Sequence, residues 1–309
     1  MNDRVLFIVG PTAIGKTEIA VLVARKINAE IICCDSMQVY KGMPVLTSMP
    51  QQALLRRVAH HLFSVISPSK EFNVSAYRAL ALKKVRAVLK RGKVPLFVGG
   101  SGLYMKVLLD GIFEEKIQDD TLRDKLYQEA QKIGNIQLYA RLKKIDPLAA
   151  TKIHPNDTRR LVRALEVFTL TGKPISLLQK NRSGLDNECA VTVIGLTMNR
   201  DALYARIDQR VECMLKQGLL EEVARLKRRA LSKTASCAIG FKELAGFRDG
   251  AYDLAEAIRL IKRNTRHYAK RQLTWFKKET RLSWIAMKAH DKPNAVASKI
   301  IRLYKAHTS

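Results

Sequence analysis

An α/β fold is expected, with a parallel sheet flanked by helices and interrupted by a mainly helical insertion domain. Three observations predict it. Short apolar, β-branched runs alternate with amphipathic helical stretches. The first run ends in a glycine-rich loop that opens a helix. Strand signals then vanish from about residue 115 and return only at residue 190.

Val5–Val9 is a continuous apolar run that stops at Gly10-Pro11, as a buried parallel strand does. Ile19, Val23 and Ile27 recur every four residues after it and give a helix one apolar face. Residues 29–34 are expected as a second strand ending at Asp35, residues 75–90 as a helix broken at Arg91-Gly92, and residues 94–98 as a third strand ending in Gly99-Gly100. Gly134, Asp146-Pro147, His154-Pro155 and Gly172-Lys173-Pro174 punctuate polar helical segments without strand character, so 115–189 is assigned to the insertion domain. A fourth strand over 190–196 returns the chain to a core formed by 1–114 and 190–309, and mostly helix follows.

The chain has 309 residues, 47% hydrophobic and 27% charged, enough apolar material for a sizeable core and too much for a disordered chain. Its 55 Lys and Arg against 28 Asp and Glu leave a net charge of +27. That excess repels itself unless a polyanion is present, so nucleic acid is the expected partner. No apolar run approaches the roughly 18 residues of a membrane span, and the first is too short for a signal peptide. The five cysteines, Cys33, Cys34, Cys189, Cys213 and Cys237, contain no Cys-x-x-Cys pair. Neither a disulfide framework nor a structural zinc site is expected, and a reducing cytoplasm fits.

Gly10-Pro11-Thr12-Ala13-Ile14-Gly15-Lys16-Thr17 fits the eight-residue P-loop pattern between a strand and an amphipathic helix. The expected core is therefore a P-loop NTPase-like sheet. Loop amides and the helix N-terminus face an anion, Lys16 adds a point charge, and the Thr17 hydroxyl can ligate Mg²⁺. Nucleoside triphosphate, ATP above all, is the usual ligand of such a loop, but any diphosphate ester offers the same oxygens. Kinase, NTPase and diphosphate-releasing transferase all stay open. Asp35-Ser36-Met37-Gln38 follows the second strand on the sheet edge where the loop lies, which places Asp35 toward the phosphate site. A carboxylate there can accept a proton or hold Mg²⁺ through water. Gly99-Gly100-Ser101-Gly102 ends the third strand on that edge, and its glycines permit either close approach of a ligand or a tight turn.

Several motifs in one order are more specific than the loop alone: GPTAIGKT (10–17), DSMQVYKGM (35–43), HHL (60–62), PLFVGGSGLY (95–104), IHPNDTRRLVRALEV (153–167), GLLEEV (218–223), AIGFKEL (238–244) and TRHYAKRQLTWF (265–276). Together they resemble the tRNA dimethylallyltransferases, nearly end to end. The resemblance implies transfer of a dimethylallyl group from dimethylallyl diphosphate to N6 of the adenosine just 3′ of the anticodon, with Mg²⁺. It implies that residues 10–17 hold the leaving diphosphate, that Asp35 is the general base, that Thr12 and Arg210 contact diphosphate, and that Ser101 contacts tRNA. Arg210 by itself would be a surface helix charge. The resemblance also places Asp35, Ser36, Met37 and Gln38 at the target base, with Gln38 reading it. It assigns tRNA contacts to Arg123, to Arg159, Arg160, Leu161, Val162 and Arg163, and to Lys242, Arg266, Lys270 and Arg271. The helical insertion would grip the anticodon stem-loop, and the enzyme would be a cytoplasmic monomer of bacterial type.

Residues 259–281 carry nine basic side chains and one acid, Glu279. Arg259, Arg263, Arg266, Lys270 and Lys277 are expected to form a basic stripe opposite Ile258, Ile261, Thr265 and Tyr268, giving salt-sensitive RNA binding. Trp275, Phe276, His60, His61 and His267 are assigned structural roles. Ile14, Cys33-Cys34, Ser101 and the segment 44–50 depart from the usual pattern. The rival readings are a nucleoside or nucleotide kinase, a transferase that prenylates free adenine nucleotide, and an RNA-binding protein with an inactive loop; the charge, the basic stripe and intact Lys16, Thr17 and Asp35 count against them.

Overall fold

The computed structural model of the chain describes residues 3–112, 118–180 and 182–306. They divide into two compact units, Met1–Leu109 with Leu185–Ser309, and Asp110–Gly184. The expected boundary between 114 and 115 lies outside the described residues. The expected boundary between 189 and 190 falls after the observed break at Gly184, because Leu185–Glu188 forms a short helix with Leu185 buried in the core of the first unit.

Six strands of the first unit form one all-parallel sheet: β1 (Arg4–Val9), β2 (Ala29–Cys33), β3 (His60–His61), β4 (Val94–Gly99), β5 (Ala190–Met198) and β6 (Leu282–Met287). Their order is β3-β2-β4-β1-β5-β6. From β1 the chain crosses to β2 on one side, and from β4 it returns to β5 on the other. The reversal falls between the neighbours β1 and β4, the position where open α/β sheets bind ligands beyond their carboxyl ends. Two strands go beyond the sequence expectation. β3 is only two residues long, too short for a periodic signal. β6 is an edge strand in which Ile285 and Met287 are buried while Trp284 and Ala286 are exposed, so it lacks the continuous apolar run that marks the inner strands.

Helices cover both faces. Leu6 and Ile8 of β1 pack with α1 (Lys16–Lys26), while Val5, Phe7 and Val9 point the other way, toward α2 (Val74–Lys90) and α3 (Gly102–Leu109). Phe7 stacks on Phe97 at 4.6 Å, each fully buried, a burial worth about 2–3 kcal/mol per ring. Asn73 caps α2 by accepting from the Ala76 amide at 2.9 Å.

The second unit holds α4 (Asp120–Ile133), α5 (Asn135–Ile145) and α6 (Thr158–Thr171) around Leu126, Leu138, Leu142, Leu161 and Leu165. Its core also contains a fully buried acid, Glu166, which accepts from Arg123 at 2.9 Å, from Arg163 at 2.8 Å and from the Asp119 amide at 3.1 Å. In the first unit the chain continues through α7 (Arg200–Lys216), α8 (Leu219–Lys227), α9 (Phe241–Arg248), α10 (Leu254–Phe276) and α11 (Pro293–Ala306). Helix α11 joins α1 on one sheet face, and α8 and α9 lie on the other. Among the described residues no helix is long and apolar enough to cross a membrane.

Candidate active site

The 10–17 loop leaves β1 at Gly10, where a Cβ would meet the Leu196 carbonyl at 2.7 Å, so only glycine fits. It enters α1 through Gly15 at φ 96°, a left-handed conformation that glycine adopts without cost. Lys16 Nζ donates to the carbonyls of Gly10 (2.9 Å) and Pro11 (2.7 Å), curling the loop around its own cation. Burial lowers the Lys16 pKa to about 7; neighbouring Asp35 acts in the opposite direction and Arg210 in the same one. Pro11 has no N–H to offer. The Ile14 side chain is fully buried among the residues under α1, so of the expected diphosphate-binding set this side chain is excluded from the site. Its bulk fills core space there.

At the end of β2, Asp35 Oδ1 accepts from the amides of Met37 (2.9 Å) and Gln38 (3.4 Å), a turn that this residue type favours. The second carboxylate oxygen has no partner among the described residues. The Ser36 amide donates to Ser101 Oγ at 2.9 Å. Ser101 is thus nearly buried and fixes the Asp35 turn from behind, and it does not line the cavity described below. The glycines around it serve protein packing: a Cβ would lie 1.9 Å from the Cys34 carbonyl at Gly99, 2.1 Å from Gln272 at Gly100 and 2.2 Å from Trp275 at Gly102. Tight packing requires glycine at all three positions, and Gly99 also lines the cavity.

Arg210, expected from sequence alone as a surface charge, turns inward from α7. Its Nη1 donates to Thr12 Oγ1 at 3.2 Å and its Nε to Ser48 Oγ at 2.8 Å. Burial lowers its pKa, and Asp35 offsets part of that. Thr12, Lys16, Thr17, Asp35, Gln38 and Arg210 all line one cavity of about 960 Å³ at the carboxyl edge of the sheet. Residues some 200 positions apart in sequence meet there.

Sequence reasoning missed Gln272. It is buried on α10, accepts from the Thr12 amide at 2.9 Å and donates to the Gly100 carbonyl at 2.9 Å, tying the loop to the end of β4. A signal for it exists: Ala257, Ile261, Ala269, Gln272 and Phe276 share the buried stripe of α10, and a polar residue on such a stripe needs partners. Gln38 commits its amide nitrogen to the carbonyls of Thr47 (3.1 Å) and Ser48 (2.9 Å).

The expected RNA contacts divide. Arg159 and Arg160 are exposed, but Leu161 and Val162 are buried in the core of the second unit, so their side chains cannot meet RNA. Arg123 and Arg163 are engaged with Glu166. On α10, Arg259 pairs with Glu256, Lys262 with Glu212 and Arg266 with Asp208, because acids of α7 and of α10 itself lie within reach. The stripe is therefore less free than its sequence suggests. Arg263, Lys270, Arg271, Lys277 and Lys278 have no ion-pair partner among the described residues. Lys242 and Arg271 line a second cavity of about 200 Å³ with Asn264 and His267. Phe276 is buried against Trp275, and His61 bonds Glu30 at 2.6 Å, both structural roles. His60 lines the large cavity.

The sequence matches the family model described as IPP transferase over residues 38–279. The tRNA dimethylallyltransferase of Halothermothrix orenii is 43% identical over 293 residues, covering 94% of this chain and 89% of that relative. The chain belongs to the IPP transferase family. The family's fold extends to solved structures. A tRNA isopentenylpyrophosphate transferase from Bacillus halodurans superposes with a TM-score of 0.73 at 37% identity, over 100% of this chain and 98% of its own. A eukaryotic dimethylallyltransferase whose crystals captured it acting on tRNA gives 0.79 at 29% identity, over 94% of this chain and 74% of its own. The parallel sheet is thus the P-loop NTPase-like core of an IPP transferase, and the chain is a prenyltransferase.

Proposed function

We propose that this chain transfers the dimethylallyl group of dimethylallyl diphosphate to N6 of the adenosine just 3′ of the anticodon in tRNA, releasing diphosphate. The observation that carries the reading is the convergence of Lys16, Arg210 and Thr12 with a half-engaged Asp35 on one cavity. In the reaction the bond between C1 of the dimethylallyl group and the diphosphate oxygen breaks, and a bond from adenine N6 to C1 forms. Negative charge grows on the departing diphosphate, where Lys16, the loop amides and Arg210 stabilise it, at about 3 kcal/mol for each well-placed donor. The free oxygen of Asp35 takes the N6 proton, a role worth on the order of 10²–10⁴ in rate.

The donor set also fits Mg²⁺. Among the described residues no cluster of three or more His, Cys, Asp or Glu could hold a metal alone, and the Thr17 hydroxyl and Asp35 line the cavity. Mg²⁺ keeps several waters and takes few protein ligands beside substrate phosphates, so the Thr17 hydroxyl suffices and the free oxygen of Asp35 is left for the N6 proton. When bound it would neutralise diphosphate charge.

Polynucleotide binding follows from the +27 charge and from the exposed cations Arg159 and Arg160 in one unit and Lys242, Lys270 and Arg271 in the other. The helical unit would grip the anticodon stem-loop. The test incubates the chain with Mg²⁺, unmodified tRNA and dimethylallyl diphosphate, with ATP replacing the diphosphate in a parallel tube, and weighs the digested nucleosides by mass spectrometry. N6-dimethylallyladenosine in the first tube alone is expected. Unchanged adenosine there, with ATP consumed in the other, would reassign the cavity to a kinase or NTPase.

A further inference from the structure

The segment 44–50, which departs from the family pattern, is held from three sides. Buried Glu222 of α8 accepts from the amides of Val45 (3.1 Å) and Leu46 (2.7 Å). Gln38 donates to the carbonyls of Thr47 and Ser48. Within the segment, Thr47 Oγ1 donates to the Met43 carbonyl at 2.7 Å and the Ser48 amide to the Val45 carbonyl at 2.9 Å. This framework holds Ser48 at φ 50°, a left-handed conformation that a non-glycine residue keeps only where its surroundings impose it. The result is a fixed hydroxyl. Ser48 Oγ donates to Met214 Sδ at 3.6 Å, which turns its lone pairs toward Arg210 Nε at 2.8 Å.

Arg210 needs such an anchor. Its guanidinium lines one cavity with Lys16 and Asp35, and the Asp35 carboxylate attracts both cations without fixing the direction in which the planar guanidinium fork faces. Ser48 takes Nε and Thr12 takes one N–H of Nη1, which leaves three of the five N–H groups without a partner among the described residues. We propose that Ser48 is a positioning residue that aims the free edge of Arg210 at the diphosphate of the substrate. The proposal rests on the assignment of Arg210 as a diphosphate contact.

Titration calorimetry of the full chain with inorganic diphosphate and Mg²⁺ tests it. Ser48→Gly removes the hydroxyl while relieving the left-handed backbone, and Ser48→Ala removes the hydroxyl alone. Both are expected to weaken diphosphate binding about tenfold, the scale of a lost hydrogen bond to a charged group. Arg210→Ala should weaken it at least as much. Ser48→Gly combined with Arg210→Ala should be no weaker than Arg210→Ala, because the hydroxyl acts only through the guanidinium. Normal binding by both Ser48 variants beside weakened Arg210→Ala, or losses that simply add, would overturn the role of Ser48 and leave Arg210 standing. Normal binding by Arg210→Ala would instead remove the diphosphate assignment on which the proposal rests.

Discussion

The two edges of the sheet hold similar charged residues and use them in opposite ways. Near the amino edge, Glu30 of β2 is almost wholly buried and accepts from Arg91 (2.6 and 3.2 Å), Lys93 (3.0 Å) and His61 (2.6 Å). Burial raises its pKa, but the bonds from Arg91, His61 and Lys93 outweigh burial and hold the carboxyl at about 2. Every acceptor site is engaged. At the carboxyl edge, Asp35 uses one oxygen on its own turn, Lys16 is driven down to about 7, and Arg210 keeps unpaired donors. A charge cluster whose hydrogen-bonding capacity is saturated is structural; one left unsaturated beside a cavity is available for chemistry.

Four experiments break or sharpen this contrast. Asp35→Asn should lower kcat by about 10²–10⁴ while tRNA affinity and melting temperature hold, since the open edge serves chemistry; full turnover in that variant would end the general-base assignment. Glu30→Ala should do the reverse. Loss of a buried partner is expected to cost about 2–3 kcal/mol in denaturant unfolding while activity per folded molecule stays unchanged. Glu30 also sets a pH window: its folded pKa of about 2 lies below the ordinary 4.5, so its contribution is present above about pH 4.5 and declines as pH falls toward 2. Acid unfolding of Glu30→Ala should accordingly lack the wild-type step in that range.

Lys16 gives a smaller, measurable effect. With a pKa of about 7, it loses its proton as pH rises above 7, so inorganic diphosphate should bind more weakly there, by up to about tenfold per pH unit. Lys16→Arg, charged throughout, should flatten the profile after allowance for the titration of diphosphate itself. Parallel profiles for the two proteins would show that Lys16 is already charged. The smallest change belongs to the exposed pair Arg159 and Arg160. Replacing both with Ala should weaken tRNA binding several-fold and reduce the salt slope by about 1–2, whereas an undiminished slope would remove them from the RNA face.

The sheet and its loop were legible because their signals are local. Val5–Val9 must be buried on both sides, the glycines of 10–17 must turn, and α1 must present one apolar stripe. Family motifs, also local strings, named the chemistry. The partners of each charge were not legible. Arg123 and Arg163, which the family resemblance assigns to RNA, also bond Glu166, and Leu161 and Val162 sit on the buried side of the helix that carries Arg163. Two cations of the α10 stripe, Arg259 and Arg266, and the neighbouring Lys262 meet acids in pairs that no spacing rule predicts beyond Glu256–Arg259.

By itself, then, the sequence determined four of the six strands, the phosphate-type loop, the helical insertion and the excess of positive charge, because hydrophobic periodicity, turn chemistry and net charge are properties of short stretches or of the whole chain. Only the tertiary structure decided that Arg210 turns inward onto Thr12 and Ser48, that Gln272 ties the loop to β4, and which cations stay free. Those outcomes depend on which side chains meet across long sequence separations and on how much of each group's hydrogen-bonding capacity its neighbours consume.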